Sequence, residues 1–335
     1  LSHLGTPRLV IGVSGGLDST LALLVAAEAF HLLKRDPQDV IAVTMPGFGT
    51  SHRTYRNALM IMRLLGVTLR EISIKDAVLQ HLEDIGHDPS LQDLTYENAQ
   101  ARERTQILMD LANKEGGFVL GTGDLSESAL GWCTYNGDHM AMYNANCSVP
   151  KTLIPHIIRQ VMDRLPEGSP EGEEAAPGFP DPHRSEGASP APAVNGCFYC
   201  KNTAALKAAL LSVIDTPISP ELLPAAEDGE IAQKSEDTVG PYALHDFFLY
   251  HTVLGGATPA RLCAMACRAF AGEYDRAVIR KWLLVFYRRF FRQQYKRNCM
   301  PEGPQAGPVS LSPRGGWAMP GDAEMALWLK EMQEL

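Results

Sequence analysis

The sequence predicts an α/β protein built on a doubly wound, Rossmann-like parallel sheet with additional C-terminal helices. Short apolar runs alternate with helical stretches between residues 8 and 121, as strands and crossover helices do in a parallel sheet covered on both faces. Two of those runs end in Gly-rich turns, and ligands of such sheets bind at the carboxyl ends of the strands. Residues 242–297 are helical in texture with no strand between them.

Residues 8–13 (RLVIGV) read as a short buried strand, and a Gly-rich loop follows at once. Residues 20–33 are Ala/Leu-rich without a breaker, a helix. A second strand falls at 39–45 (DVIAVTM), and a helix at 53–65 is ended by Gly66. Residues 67–74 (VTLREISI) alternate apolar and polar, as a strand does. A helix over 96–114 stops at Gly116 and Gly117, and residues 118–121 (FVLG) make a fourth strand.

The character then changes. Residues 166–195 are rich in Pro, Gly, Glu and Ala with almost nothing to bury, a flexible low-complexity insertion. Helical texture resumes near Lys201, and a final amphipathic helix falls at 323–335. Within 279–297, Trp282, Phe286 and Phe290 recur every four residues, a buried stripe with charges on the other face. Lys296 and Arg297 follow at its end, a place suited to phosphate. The organisation expected is a nucleotide-binding core at 1–165, the insertion at 166–195, and a helical part at 196–335 completing the same domain.

The 335 residues carry a net charge of -9. That argues against a coat on nucleic acid or on an anionic membrane, both of which need a broad basic surface. No apolar run is long enough to span a bilayer, and the N-terminus has no signal-peptide layout. Seven scattered cysteines, an odd number, fit reduced thiols in the cytoplasm. Cys197 and Cys200 invite a zinc reading, but a structural site needs four ligands and no second such pair exists. Cys263 and Cys267 are explained as small apolar core thiols.

Chemistry begins at Ser14-Gly15-Gly16-Leu17-Asp18-Ser19. A strand, a Gly-rich loop and a helix N-terminus make an anion site, because amides and helix dipole point at the ligand. Ser14, Ser19 and Thr20 can add hydroxyl donors. Asp18 is repelled by a triphosphate unless a divalent cation bridges them, so it implies Mg²⁺. No Lys-Ser/Thr pair follows the glycines, which excludes a Walker A loop. The string resembles the loop of the ATP-pyrophosphatase (PP-loop) superfamily, whose enzymes cleave ATP between the α and β phosphates.

A second polar rim lies after the fourth strand, at Gly121-Thr122-Gly123-Asp124-Leu125-Ser126-Glu127 and then Leu130-Gly131-Trp132-Cys133-Thr134-Tyr135-Asn136-Gly137-Asp138. Taken singly, Asp124 or Glu127 is more often a helix cap or a solvated charge, and Trp132 a core residue. Together with Val149-Pro150-Lys151-Thr152-Leu153, these strings resemble the synthetase domain of glutamine-dependent NAD synthetases. The resemblance runs on through residues 215–222, Val239-Gly240-Pro241-Tyr242 with Asp246-Phe247, Tyr295-Lys296-Arg297, residues 310–315 and Trp317.

The resemblance implies an adenine nucleotide alpha hydrolase-like fold and a ligase that forms a C–N bond. The nicotinate carboxylate of deamido-NAD attacks the α-phosphorus of ATP, and ammonia attacks the acyl-adenylate to give NAD and AMP. By the same carry-over, Gly12, Val13, Ser14, Gly15, Gly16, Leu17, Asp18, Ser19 and Thr122 hold ATP, the cosubstrate. Asp18 and Glu127 are candidate Mg²⁺ ligands, with Glu127 falling at the metal or at deamido-NAD. Asn98, Trp132, Cys133, Thr134, Tyr135 and Lys296 line the dinucleotide site. Asp138 and Lys151 match positions near the reacting groups, where a carboxylate can take a proton from ammonium and a lysine can neutralise phosphate.

The resemblance further implies a homodimer with the dinucleotide site near its interface. Glutamine-dependent members carry an upstream glutaminase domain, far larger than the residues given before Val10. The expectation is therefore use of ammonia, unless the chain is an excised domain, which the missing initiator Met favours. Gly316 stands where an acidic residue is expected. The alternatives are another PP-loop enzyme, such as a tRNA thiolase or GMP synthetase, and a non-catalytic ATP-binding module. The acidic charge tells against the thiolase, and the retained Asp18, Glu127 and Lys151 against a dead site.

Overall fold

A computed structural model of the chain describes residues 3–6, 8–166, 202–219, 222–223 and 235–334. The insertion read at 166–195 lies, from residue 167 on, outside the described residues, as do Cys197 and Cys200. Strands β1 (Arg8–Gly12), β2 (Val40–Thr44), β3 (Thr68–Glu71), β4 (Gly117–Gly121) and β5 (Tyr143–Asn144) pair in parallel, in the order β3-β2-β1-β4-β5. Ile11 of β1 lies opposite Ala42 on one side and Leu120 on the other. The chain thus winds outward from β1 to one edge, then returns to build the other. The crevice between the carboxyl ends of β1 and β4 is the topological switch point.

Both faces of the sheet are covered, which is why the central strands read as unbroken apolar runs. Leu9, Ile11, Val40, Ala42, Phe118 and Leu120 pack against α1 (Leu17–Leu32), α2 (His52–Leu64), α6 (Ile154–Arg164) and α7 (Thr203–Ile214). Val10, Ile41, Val43 and Val119 face the opposite way, against α3 (Lys75–Asp84) and α4 (Leu94–Glu115). Each wholly enclosed side chain of this kind contributes about 1.5–3 kcal/mol. Helix ends are set locally. Asp93 accepts hydrogen bonds from the amides of Thr95 and Tyr96 at the start of α4, and Gly116 closes it in the left-handed region at φ 64°.

A second core stands beside the sheet. It is built from α5 (Leu125–Leu130), α8 (Ser235–Val239), α9 (Tyr242–Val253), α10 (Pro259–Ala269), α11 (Arg276–Arg292) and α13 (Ala326–Gln333), with α12 (Gln294–Arg297) set against α5 and α11. Its centre holds Leu244, Phe248, Leu283, Phe286 and Phe290. Helix α5 starts at the end of β4 and buries Leu125 and Leu130 in this second core. The seam between the cores therefore runs through the switch point.

The structure sharpens several expectations. The α11 stripe is Ile279, Leu283, Phe286, Tyr287, Phe290 and Phe291, with Trp282 only half-buried at its margin. Helix α7 follows the insertion in sequence but packs on the sheet side, through Leu206, Leu210 and Val213. Strand β5 has two residues and owes its place to β4 and to a tail bridge, with the Asn144 amide donating to Glu302 O. Among the described residues no helix is long and apolar enough to cross a membrane.

Candidate active site

The turn after β1 is tied mostly to itself. The Gly16 amide donates to Ser14 Oγ at 3.2 Å, the Ser14 amide to Ser19 Oγ at 3.2 Å, and Ser19 Oγ to Gly16 O at 3.3 Å. Helix α1 has no side-chain cap, since Gly16 stands at that position, so its first amides keep no local acceptor. That is the arrangement an anion completes. Gly15 is required twice over. Its φ is +86°, and a Cβ there would stand 2.0 Å from Thr54 O on α2. Thr20 is corrected as a donor: it is wholly buried beneath the loop, whereas Ser14 and Ser19 line the cavity. Leu17 turns into the sheet-side core.

That cavity has a volume of about 250 Å³. Its wall is shared by Gly12, Val13, Ser14, Asp18 and Ser19 from the first loop and Thr122, Gly123, Glu127, Trp132 and Asp138 from the second. Between the loops stands Lys151, in a one-turn helix at Lys151–Leu153. Its Nζ lies 2.7 Å from Asp18 Oδ2, 2.6 Å from Asp124 Oδ2 and 2.7 Å from Glu127 Oε1. The contact with Asp124 is an ion pair outside hydrogen-bond alignment. Lys151 and Asp124 are closed off, at 1% and 0% exposure of the side chain, while Asp18 and Glu127 keep 24% and 22%. The two open carboxylates are thus the ones a ligand can reach.

Asp124 does two jobs. Oδ1 accepts the Glu127 amide at 2.9 Å and caps α5, which fixes Glu127 on the first turn. Oδ2 faces the ammonium. Burial pushes the carboxyls up against the pull of Lys151, to about 7 for Asp18, about 6 for Asp124 and about 7 for Glu127. Burial works against the Lys151 charge, but the carboxylates, Asp124 foremost, outweigh it and hold its pKa well above the usual lysine value. Three carboxylates around one ammonium leave the cage net negative when all are ionised.

The donor set fits a hard divalent cation. One oxygen from each of Asp18, Asp124 and Glu127 can be chosen with all three within 4.8 Å of one another. Asp18 Oδ1 is buried with no hydrogen-bond partner. Carboxylate oxygens of this kind are what Mg²⁺ takes alongside substrate phosphates.

The residues assigned to the dinucleotide gather beside the cage. The Thr134 amide donates to Asp138 Oδ1 at 2.6 Å, and Thr134 Oγ1 to Asn98 Oδ1 at 2.8 Å. Burial raises the Asp138 carboxyl. The Arg289 guanidinium sits 5.1 Å from the Trp132 ring centre. Tyr135 is exposed and packs on Tyr295 at 5.4 Å and on His139 at 5.6 Å. Cys133 is half-buried and burial raises its thiol, so it is no ready nucleophile. Lys296 Nζ donates to Gly131 O at 2.9 Å and Cys133 O at 2.5 Å, which pins this turn to α12. Arg297 is corrected as a phosphate group: it is wholly enclosed and donates to the carbonyls of Ser128, Ala129 and Phe290.

Sequence reading left out two contributors, Asn146 and Arg104, and gave Asp124 a place in the rim without a role. Asn146 is fully buried, and its Nδ2 donates to Asp18 O at 2.9 Å and Thr122 O at 3.0 Å, joining the loops. Arg104 of α4 reaches the cavity wall while donating to Met45 O at 3.1 Å. Asp124 joins the cage. The spacing Asp124-x-x-Glu127 before an apolar residue is itself a capping signature that marks the first turn of α5.

An open parallel sheet with a Ser-Gly-Gly loop at its switch point and a lysine–carboxylate rim across from it defines a Rossmann-like protein of the PP-loop class. The NAD synthase family profile matches residues 1–168, and the chain belongs to that family. It is 40% identical to a glutamine-dependent NAD(+) synthetase of Mycobacterium tuberculosis over 355 aligned residues, covering 99% of this chain and 47% of the relative. The same figures for identity and cover hold for the enzyme of Mycobacterium leprae. The chain thus spans about half the length of these curated relatives. Its fold is like that of the glutamine-dependent NAD(+) synthetase from Cytophaga hutchinsonii, with a TM-score of 0.70 at 15% identity, over 98% of this chain and 52% of that one.

Proposed function

We propose that this chain amidates deamido-NAD with ATP and ammonia, giving NAD, AMP and pyrophosphate. The observation that carries the reading is the Lys151 cage with two reachable carboxylates, one of them Asp18 in the first turn of α1, whose uncapped N-terminus borders the same cavity. The α1 amides and the hydroxyls of Ser14 and Ser19 take the β and γ phosphates, and Thr122 borders the same nucleotide. The nicotinate carboxylate of deamido-NAD, held along Asn98, Trp132, Cys133, Thr134, Tyr135 and Lys296, displaces pyrophosphate from the α-phosphorus. Fixed donors aimed at the phosphoryl oxygens stabilise the charge that develops there. No side chain need act as a nucleophile, because the substrate supplies it.

Asp18 and Glu127, backed by Asp124, would hold Mg²⁺, which would neutralise phosphate charge and make pyrophosphate a better leaving group. Asp138 binds ammonium and takes its proton. Ammonia is the nitrogen source for these residues, and a glutaminase domain would supply it from glutamine. Residues 1–165 and 196–335 complete one synthetase unit around the insertion, and the cytoplasmic protein acts as a homodimer.

The test mixes the 335-residue chain with Mg-ATP, deamido-NAD and ammonium, and measures NAD, AMP and pyrophosphate. Equal amounts of the three products are expected, with glutamine failing to replace ammonium. Folded protein that forms no NAD under these conditions overturns the reading.

A further inference from the structure

Helix α9 is apolar along most of its length (YALHDFFLYHTV), yet it carries one carboxylate at its centre, Asp246. That side chain reaches out of the second core toward the seam. Oδ1 accepts a short hydrogen bond from the Ser126 hydroxyl. Oδ2 accepts from the Thr152 amide at 3.1 Å and from Thr152 Oγ1 at 2.7 Å. Ser126 Oγ in turn accepts the Lys151 amide at 2.8 Å. One carboxylate therefore holds the residue after Lys151 directly and the Lys151 amide through one hydroxyl. Ser126 itself stands directly before Glu127. One turn earlier on α9, the ring of Tyr242 lies 5.5 Å from Lys151 Nζ.

We propose that Asp246 is a positioning residue of the adenylation site, which acts through Ser126 and Thr152 to fix Lys151 and Glu127 against Asp18. This rests on the reading of the Lys151 cage as the reaction centre. A carboxylate is needed because all three of its partners donate. An amide in its place presents NH₂ on one side. Turned toward Ser126, it leaves the hydroxyl proton without its acceptor; turned toward Thr152, it opposes the backbone amide, which can only donate, with a second donor. Either way the segment carrying Lys151 shifts, and a displacement of about 1 Å in a reacting constellation lowers turnover roughly 100-fold.

The test compares the parent chain with Asp246→Asn, Ser126→Ala and the double variant, each also in a Lys151→Met background. Turnover of NAD and amide hydrogen exchange at Lys151 and Thr152 are followed together. Asp246→Asn is expected to lower kcat roughly 10- to 100-fold with the KM for ATP changed by less than about 3-fold. The double variant should lose no more than the worse single one, since both act through one chain of hydrogen bonds. In the Lys151→Met background Asp246→Asn should cost almost nothing further. Exchange at the two amides should quicken in Asp246→Asn while the melting temperature stays within a few degrees. Unchanged kcat per folded molecule, or an equal loss with and without Lys151, overturns the proposal. A parent chain that forms no NAD overturns the functional reading instead. In that case the exchange measurement still decides whether Asp246 holds the Lys151 segment, and unchanged exchange refutes it.

Discussion

The two sides of the cavity are built in opposite ways. The turn after β1 is a local object: its internal hydrogen bonds link residues 14, 16 and 19, no more than five positions apart. The rim after β4 is an assembly of distant parts. Lys151 reaches Asp18 across 133 positions, Thr152 reaches Asp246 across 94, and Lys296 reaches Gly131 across 165. The first side presents backbone and one carboxylate, Asp18, and the second presents the rest of the charge. A backbone site can be encoded by one short string, because φ/ψ preferences and helix dipoles are set nearby. A charge site has to recruit counter-charges from wherever the fold can place them, since buried carboxylates need a partner.

If that contrast is right, the assembled side should be the fragile one. Replacing Lys151 by Met leaves three carboxylates without their cation. Breaking a buried pair in this way costs about 3–5 kcal/mol. Loss of an electrostatic stabiliser at a reaction centre lowers kcat roughly 100- to 1,000-fold. Both losses are expected together, in a urea titration and in the NAD assay. A variant as stable and as active as the parent would break the comparison.

A smaller effect is expected behind the rim, at His245 on α9. Its ring is 1% exposed, Nε2 is paired with Val239 O, and Nδ1 has no partner. Burial pushes its pKa down to about 4. The folded state then binds fewer protons than the unfolded state between about pH 6.5 and pH 4. Stability should therefore fall as pH drops through that window and level off below it. At about 1.4 kcal/mol per pH unit, the full loss is about 3.5 kcal/mol. His245→Gln should flatten that part of the curve, and a variant with the parent's acid slope would assign the slope elsewhere.

The smallest effect is expected on the local side. Gly15→Ala must place a Cβ against Thr54 O in a left-handed backbone. The strain costs about 1–3 kcal/mol. Because the loop can shift as a piece, ATP binding should weaken while the Lys151 amide, held by Ser126 and not by the loop, keeps its protection against exchange. Loss of protection there would show that the strain travels into the backbone of the rim.

The same contrast explains what could be read in advance. Strands β1, β2 and β4 and helices α2 and α4 were legible to within two residues at each end, and α1 to within three. Their apolar runs are continuous, and Gly66 and Gly116 end helices by conformation alone. Strand β5 was not legible, since two residues make no pattern and only pairing with β4 and the tail defines it. Helix α5, six residues long, has the Asp124 cap in place of a long periodicity. Helices α3 and α6 went unread as well. At the site, Asp18, Glu127, Asp138 and Lys151 were named from their motifs, and the structure gathers three of the four into one cage while Asp138 lines the same cavity. Arg297 was misjudged for a physical reason. A guanidinium at a helix end can serve carbonyls as readily as phosphate, and only burial tells which.

Asn146 joins these two unlike sides with one side chain. Its two amide hydrogens go to Asp18 O on one loop and Thr122 O on the other. A force applied to either loop is passed on through that amide. Two ligands that each press on one loop thus share an elastic element, and linkage demands that each alter the other's affinity by the same factor. On the proposed reading, whatever seats on one loop is felt at the other through a single planar group.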